Sequence, residues 1–150
     1  MPQIDFHTLG EHSRTPRMKA ACQLTEQAFL AGERVLVWLQ DAAALSAFDD
    51  LLWTFGDRAF VPHEPLAADP AACEAPVQLF AGAQLPATAL GGSFSTLLTL
   101  RDEASVAALS FRRIIEVIDG EAACRAAGRT RFRYYREQGV TPTHHQLAEA

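Results

Sequence analysis

Arginines near the C-terminus are the residues whose type and spacing most clearly predict chemistry in this sequence. Arg125, Arg129, Arg131, Arg133 and Arg136 follow one another without an acidic residue between them, in a chain whose formal net charge is -5. Guanidinium groups donate paired hydrogen bonds to carboxylates and phosphates. The row therefore predicts a site for an anionic ligand on an otherwise acidic protein.

The spacing predicts that most of these cations share one face of a helix. At about 100° per residue, one face holds Arg125, Arg129, Phe132, Arg133 and Arg136 within roughly a quarter of the circumference. We call this set the arginine stripe, and Arg131 lies outside it. The side expected to pack on the rest of the protein is the opposite one, with Ala123, Ala127, Thr130 and Tyr134.

Three interpretations of the arginine stripe are open. Guanidinium groups bind carboxylates, and Phe132 offers an apolar surface, so the stripe suits an acidic peptide with a hydrophobic anchor. Arginine and aromatic rings also suit single-stranded nucleic acid, but one stripe on an acidic body predicts only weak nucleic-acid affinity. A solvated helix face is the third interpretation, although such faces usually interleave both signs of charge. We favour the acidic peptide.

The sequence lacks the familiar motifs of catalysis and cofactor binding. Residues 9–14, which follow the first predicted strand, hold one glycine and match neither GxGxxG nor GxxxxGK[ST]. GxSxG and HExxH are absent, and Cys22, Cys73 and Cys124 form no CxxC pair. We predict no catalytic residue, metal or cofactor. A nucleotide-dependent enzyme with a ligand pocket at the strand ends, and a direct single-stranded DNA-binding module, remain the alternatives.

Histidines occur at two further places without a clear role. His144 and His145 stand in a polar C-terminal stretch, where an exposed, solvated pair is expected because a third metal ligand is lacking. His63 follows Val61 and Pro62 and fits either a loop cap or an interface residue.

Length, charge and hydropathy limit the class of protein. A chain of 150 residues, 49% of them hydrophobic, is long enough for one domain with a real core. The acidic net charge argues against a protein that binds nucleic acid over its whole surface, and it leaves a local basic patch open. No segment approaches the roughly 20 apolar residues of a membrane span, and no leader pattern opens the chain. We expect a single cytoplasmic domain over residues 1–150 that does not bind membranes, with a polar tail at about 140–150.

Hydrophobic patterning predicts strands and helices that alternate. Strands are predicted at 4–8, 34–39, 77–80, 94–100 and 114–118, the last being the final strand, with a loop at 60–65. Helices are predicted at 16–31, between Asp41 and Gly56, and at 121–138, with a helical tendency at 104–109. Repeated strand-helix units predict a single-domain α/β fold: a mainly parallel, twisted sheet with helices on both faces, in a Rossmann-like arrangement.

A second apolar set surrounds the end of the second predicted helix. It consists of Trp53, Phe55, Phe60, Val61 and Pro62. Such residues are often core, but loops that carry Trp, Phe and Pro also present anchors to partner proteins. Both interpretations stay open.

Taken together, these segments resemble the χ subunits of the bacterial DNA polymerase III clamp-loader complex over essentially the whole chain. The resemblance is carried by the order of elements, by Leu51-Leu52-Trp53 followed by Arg58-Ala59-Phe60-Val61-Pro62-His63, by the strand Ile114–Ile118, and by the basic-aromatic run from Arg129 to Gly139. The Phe-Val-Pro-His run and the basic helix that ends in glycine are moderately specific as a pair.

The resemblance implies a noncatalytic subunit that binds the acidic C-terminal tail of single-stranded DNA-binding protein (SSB) and connects it to the clamp loader through the ψ subunit. It implies tail-binding roles for the arginine stripe and for Ile118 at a nearby strand end. It further implies that the ψ-facing positions are Trp53, Phe60, Val61 and Pro62, and it allows a DNA repair helicase as another partner. Two departures from better-known members are Phe132, in place of a tyrosine, and Gly128, which should interrupt the helix at a cost of about 1 kcal/mol relative to alanine.

Overall fold

The fold is an α/β sheet that the computed structural model describes for residues 2–10, 16–56, 60–66, 69 and 75–147. Within these residues, seven parallel strands form one sheet in the order β3-β4-β2-β5-β6-β1-β7. The strands are β1 (Gln3–Thr8), β2 (Val35–Leu39), β3 (His63–Pro65), β4 (Val77–Ala81), β5 (Thr96–Thr99), β6 (Arg113–Ile118) and β7 (Thr143–Gln146). The helices are α1 (Arg17–Leu30), α2 (Ala42–Thr54) and α3 (Ala122–Glu137). The predicted Rossmann-like α/β fold is confirmed.

Side-chain alternation along the strands divides the interior into two cores. Val35, Val37 and Leu39 of β2 pack with α1 and α2 on one face of the sheet. Leu36 and Trp38 point to the other face, which α3 and two short 3-10 turns cover. Every residue of β2 is buried, as expected for a nearly continuous apolar run in an interior strand. α3 therefore lies on the opposite side of the sheet from α1 and α2.

Local chemistry sets the ends of the helices. Asp41 caps α2, because its carboxylate accepts a hydrogen bond of 2.8 Å from the Ala44 backbone N–H. Gly32 and Gly139 follow α1 and α3 with φ angles of +84° and +87°, in the left-handed region that glycine adopts without strain. These three predicted helix signals are confirmed.

Some predicted features lie outside the described residues. They are Cys73, the Arg58-Ala59 pair that leads to Phe60, and residues 11–14 of the stretch where a phosphate loop was sought. Among the helices of the described ranges, none combines the length and the apolar character that a bilayer span needs.

Two strands occur where the sequence predicts none. The loop expected at 60–65 contains β3, and β7 follows α3, so the prediction that Ile114–Ile118 is the final strand is wrong. Both are edge strands, and an edge strand buries too little to show an apolar pattern. All four side chains of β7 are exposed. The helical tendency at 104–109 corresponds to a 3-10 turn at Val106–Ser110.

The inward face of α3 is not the predicted one. Ala123 and Thr130 are exposed, whereas Gly128, Arg131 and Tyr135 are buried against the sheet. The actual face lies roughly a quarter turn around the helix from the expected face. The predicted face does not include Gly128 or Arg131, and both of these residues have a specific partner in β6.

Candidate functional site

A buried ion pair fixes the rotation of α3 and so determines where the arginine stripe points. Arg131 donates from Nε to Glu116 of β6 over 2.9 Å and from a terminal nitrogen to the Asp102 carbonyl over 3.0 Å. Tyr135 donates its hydroxyl to the other Glu116 oxygen over 2.7 Å. Burial raises the pKa of the Glu116 carboxyl, although Arg131 and Tyr135 both favour its charged form. Arg131 is therefore a structural cation, in agreement with its exclusion from the stripe.

Close contact between α3 and the end of β6 explains Gly128. A Cβ atom at this position would lie 2.6 Å from Cδ1 and 3.3 Å from Cγ1 of Ile118. The helix runs through Gly128 without a break, so the predicted interruption does not occur. The glycine lets α3 approach Ile118 and leaves that side chain beside the stripe.

The structure brings the predicted stripe together on one exposed side of α3. Arg129, Arg133 and Arg136 are exposed, while Arg125 and Phe132 are half-buried at the border with the sheet. Phe132 packs on Phe6 of β1 with ring centroids 5.3 Å apart and an interplanar angle of 58°. The aromatic ring is thus anchored to the sheet, and the cations surround it.

An apolar cavity opens where α3 meets the carboxyl ends of β1 and β6. It has a volume of about 370 Å³ and is lined by Phe6, Thr8, Ile118, Arg125, Gly128, Arg129, Phe132 and His144. Thr8 and Ile118 are register partners at the last residues of their strands. In open parallel sheets, ligands bind outside the carboxyl ends of the strands. Ile118, predicted from the sequence as the apolar neighbour of the stripe, lies in this cavity.

A second, more polar cleft lies along the outer part of α3. Its volume is about 480 Å³, and it is lined by Arg129, Phe132, Arg133, Arg136 and Glu137. Arg129 and Phe132 border both this cleft and the apolar cavity. A ligand that crosses them would place an apolar group against the sheet and negative charges along the helix.

The second apolar set divides into exposed and buried members. Trp53 and Phe60 are 50% and 65% exposed, with ring centroids 6.0 Å apart. Together with Pro62 they line an open groove of about 410 Å³. Val61 is fully buried, which corrects its assignment as a contact residue: it anchors the loop in the core and exposes no surface to a partner.

His63 joins the groove to the fold. Its Nδ1 lies 2.6 Å from the Val61 carbonyl, and its Nε2 lies 2.9 Å from the Asp49 carboxylate of α2. Trp53 packs on the imidazole with a centroid distance of 4.3 Å. This buried histidine therefore fixes the Trp53 ring relative to the loop, in agreement with the loop-cap interpretation. Its role as an interface residue stays a prediction.

The histidines of β7 have partners that sequence reasoning missed. His144 Nε2 lies 2.8 Å from the Thr8 hydroxyl, and His145 Nε2 lies 2.9 Å from Asp5. The His145 ring also stacks on His7 at 4.8 Å. Both histidines are exposed, as predicted, yet each contacts β1. Only the long-range pairing of β7 with β1 reveals these contacts, and no local pattern indicates that pairing.

The described His, Cys, Asp and Glu side chains bear on whether the site could hold a metal ion or a reactive thiol. Among those residues, no group of three or more His, Cys, Asp or Glu side chains is placed to hold a metal ion. Cys22 and Cys124 are unpaired thiols whose pKa burial raises, so neither is activated as a nucleophile. The described surface favours binding of an anionic, partly apolar ligand.

Comparison with known proteins finds one matching family model and similar proteins from two bacteria. A family model described as the DNA polymerase III chi subunit, HolC, matches residues 1–143. The protein named DNA polymerase III subunit chi in Pseudomonas aeruginosa is 37% identical over 147 residues, which cover 98% of each chain. The protein of the same name in Escherichia coli is 25% identical over 143 residues, or 93% of this chain and 94% of its own.

Proposed function

Because the chain belongs to the family of DNA polymerase III chi subunits, we propose that it is a noncatalytic cytoplasmic accessory subunit of the clamp-loader complex. It binds the acidic C-terminal tail of SSB through the arginine stripe and connects SSB to the replication machinery through the ψ subunit. The family membership rests on the match over residues 1–143 and on 37% identity to the P. aeruginosa protein. The assignment of each partner to a surface is our inference.

The observation that carries the tail-binding proposal is the shared border of the apolar cavity and the polar cleft. Arg129 and Phe132 line both. An acidic tail that ends in an aromatic residue has the matching order of groups: a ring for the cavity, then a terminal carboxylate and preceding acids for the cations. Single-stranded DNA also combines rings with negative charge, but one stripe on a chain with a net charge of -5 predicts weak nucleic-acid affinity, so the peptide is favoured.

The proposed mechanism is a tether. A flexible SSB tail places its last side chain between Phe132, Phe6 and Ile118, while its acidic residues lie along Arg129 and Arg133. An affinity in the micromolar range, about -8 kcal/mol, lets the polymerase complex stay on SSB-coated template without locking it there. Several tails on one SSB assembly raise the effective concentration, and added salt weakens the contact because the arginines are solvent-exposed.

The test titrates a labelled acidic peptide that ends in Pro-Phe into the wild type and single variants. We expect Arg129→Ala and Phe132→Ala each to raise the Kd about tenfold, because each removes a group that borders both parts of the site. Fluorescence anisotropy at fixed ionic strength gives the Kd, and a salt series gives the ionic share of the binding.

Arg112→Ala is the matched control, since Arg112 is an exposed arginine that precedes β6, at the opposite end of this strand from Ile118 and the cavity. It should leave the Kd within twofold. Equal Kd values for Arg129→Ala and Arg112→Ala would contradict the site assignment. A single-stranded oligonucleotide that bound as tightly as the peptide in the same buffer would favour the nucleic-acid interpretation instead.

The groove beside Trp53 supports the ψ part of the proposal. Exposed aromatic rings are energetically costly in water and are enriched in protein interfaces. Trp53 and Phe60 are both exposed, and His63 holds the loop that carries Phe60 through its contacts with the Val61 carbonyl and Asp49. The groove is at the β3 edge of the sheet, whereas the stripe is near β1 and β7 at the other edge. SSB and ψ could therefore be bound at the same time.

We expect Trp53→Ala combined with Phe60→Ala to abolish co-purification with the ψ subunit encoded in the same organism, because hot-spot rings each contribute about 2 kcal/mol or more to such interfaces. Co-expression and size-exclusion chromatography measure the complex. The same double variant should bind the SSB-tail peptide with unchanged Kd. A ψ complex that survives these substitutions would remove this groove from the proposal.

A further inference from the structure

His144 occupies the wall of the apolar cavity that faces α3. It lies on the edge strand β7, in register with Phe6 of β1, so both side chains lie on the α3 side of the sheet. Its Nε2 is 2.8 Å from the hydroxyl of Thr8, two residues along β1 on the same face. An exposed side chain is thus held in one position beside Phe132 and Arg129.

The hydrogen bond to Thr8 determines whether the His144 imidazole can donate a hydrogen bond to a ligand. A hydroxyl group either donates or accepts. When Thr8 donates to Nε2, the proton of the neutral ring is on Nδ1, and the ring becomes a donor on its other side. A carboxylate at the cavity mouth would select this arrangement, because it accepts from Nδ1–H.

The residues that line the cavity indicate which kind of ligand carboxylate would bind at its mouth. Phe6, Ile118 and Phe132 make the interior apolar, so it accommodates an uncharged side chain. Arg125, Arg129 and His144 supply polar groups to the same small cavity. Only the last residue of a chain carries a carboxylate on the same Cα atom as an apolar side chain. The cations along the rest of α3 are farther out and face the preceding acids.

We propose that His144, oriented by Thr8, is a specificity-determining residue that contacts the terminal α-carboxylate of the bound peptide, so that the site selects a free C-terminus. This inference rests on the proposed tail binding and adds a residue from β7 to a site otherwise formed by α3 and the strand ends. Acidic segments within a chain are bound more weakly, since they offer no α-carboxylate next to the cavity.

The test compares two peptides of the same acidic sequence, one with a free C-terminal carboxylate and one with a C-terminal amide. The wild type should prefer the acid about twentyfold. His144→Ala should reduce this preference about fivefold and change the Kd for the amide less than twofold. Thr8→Val, which removes the hydroxyl and keeps the branched shape, should reduce the preference about twofold.

His145→Ala is the matched control, because His145 is on the same strand and contacts the opposite sheet face. Its acid-to-amide ratio should equal that of the wild type, and thermal unfolding should show that the His144→Ala variant is folded. An unchanged acid-to-amide ratio in His144→Ala overturns the role of His144 while leaving tail binding intact. A wild type that binds neither peptide overturns the proposed function itself, and this inference with it.

Discussion

Arg131→Met is expected to lower the free energy of unfolding by about 3–5 kcal/mol, the range found when one partner of a buried ion pair is removed. Methionine fills most of the arginine volume, so the loss reports the charge and its hydrogen bonds. Without Arg131, the Tyr135 hydroxyl is the one hydrogen-bond partner that the fully buried Glu116 carboxylate keeps among the described residues. Urea unfolding at pH 7, followed by far-UV circular dichroism, measures the change.

The double variant Arg131→Met, Glu116→Gln separates charge from packing. Glutamine has nearly the shape of glutamate and still accepts a hydrogen bond from Tyr135, but it carries no charge to compensate. We expect the double variant to recover at least about 2 kcal/mol of the loss, because a buried unpaired charge is the main penalty in the single variant. A single variant within about 1 kcal/mol of the wild type would show that the ion pair does not hold α3.

The ion pair also explains which part of the site could be predicted from the sequence. Helical periodicity correctly grouped Arg125, Arg129 and Arg133, since angular spacing depends only on residue number. It could not identify the buried face, because that face contains Arg131 and Gly128. Neither residue is apolar enough for a hydropathy pattern to predict its burial. Their partners, Glu116 and Ile118, are in β6 and reach α3 only through the fold.

The strands show the same division between local and non-local information. β2 is apolar along its whole length because it is covered on both faces, so its sequence predicts its burial. β7 is an edge strand of Thr, His and Gln, and its pairing with β1 leaves no local pattern. The cavity wall formed by His144 was therefore missed, although the opposite wall on α3 was predicted.

The loop before β3 shows how one apolar run serves two purposes. Phe60 and Val61 are adjacent, and their side chains point in opposite directions, one into solvent and one into the core. From the sequence alone, the second apolar set could be either core residues or anchors for a partner protein. The buried valine and the His63 contacts fix the loop, and this fixed backbone is what allows Phe60 to stand exposed beside Trp53.

Lowering the pH from 7 to about 4.5 is expected to destabilise the protein by about 2–3 kcal/mol through His7. Both ring nitrogens of His7 are buried without a hydrogen-bond partner among the described residues. Burial, followed by the nearby positive charge of His145, lowers the pKa of His7 to about 4. In the unfolded chain a histidine titrates near pH 6.5. Between about pH 6.5 and 4, the unfolded state therefore binds a proton that the native state does not, so stability falls as the pH falls.

Asp5, which contacts His145, contributes to the pH dependence of stability in a lower pH range. Burial alone would raise the pKa of Asp5, but the hydrogen bonds from His145 and Arg113 outweigh it, and the pKa lies below its ordinary value. Its contribution to stability is present above the unfolded-state pKa of about 3.9 and is lost as the pH falls through the lower native value. The loss between pH 6.5 and 4.5 is thus not due to Asp5.

His7→Phe tests this assignment, because it keeps a flat ring against His145 and removes the titrating nitrogens. Urea unfolding at half-unit intervals from pH 7 to 4.5 should show that the variant loses about 2 kcal/mol less stability than the wild type over this range. His7→Gln should lose the same pH dependence but be less stable than His7→Phe at every pH, because its amide is buried without a partner. Parallel stability curves for the wild type and both variants would exclude His7 as the titrating group, and the proton taken up on unfolding would then be bound by another residue.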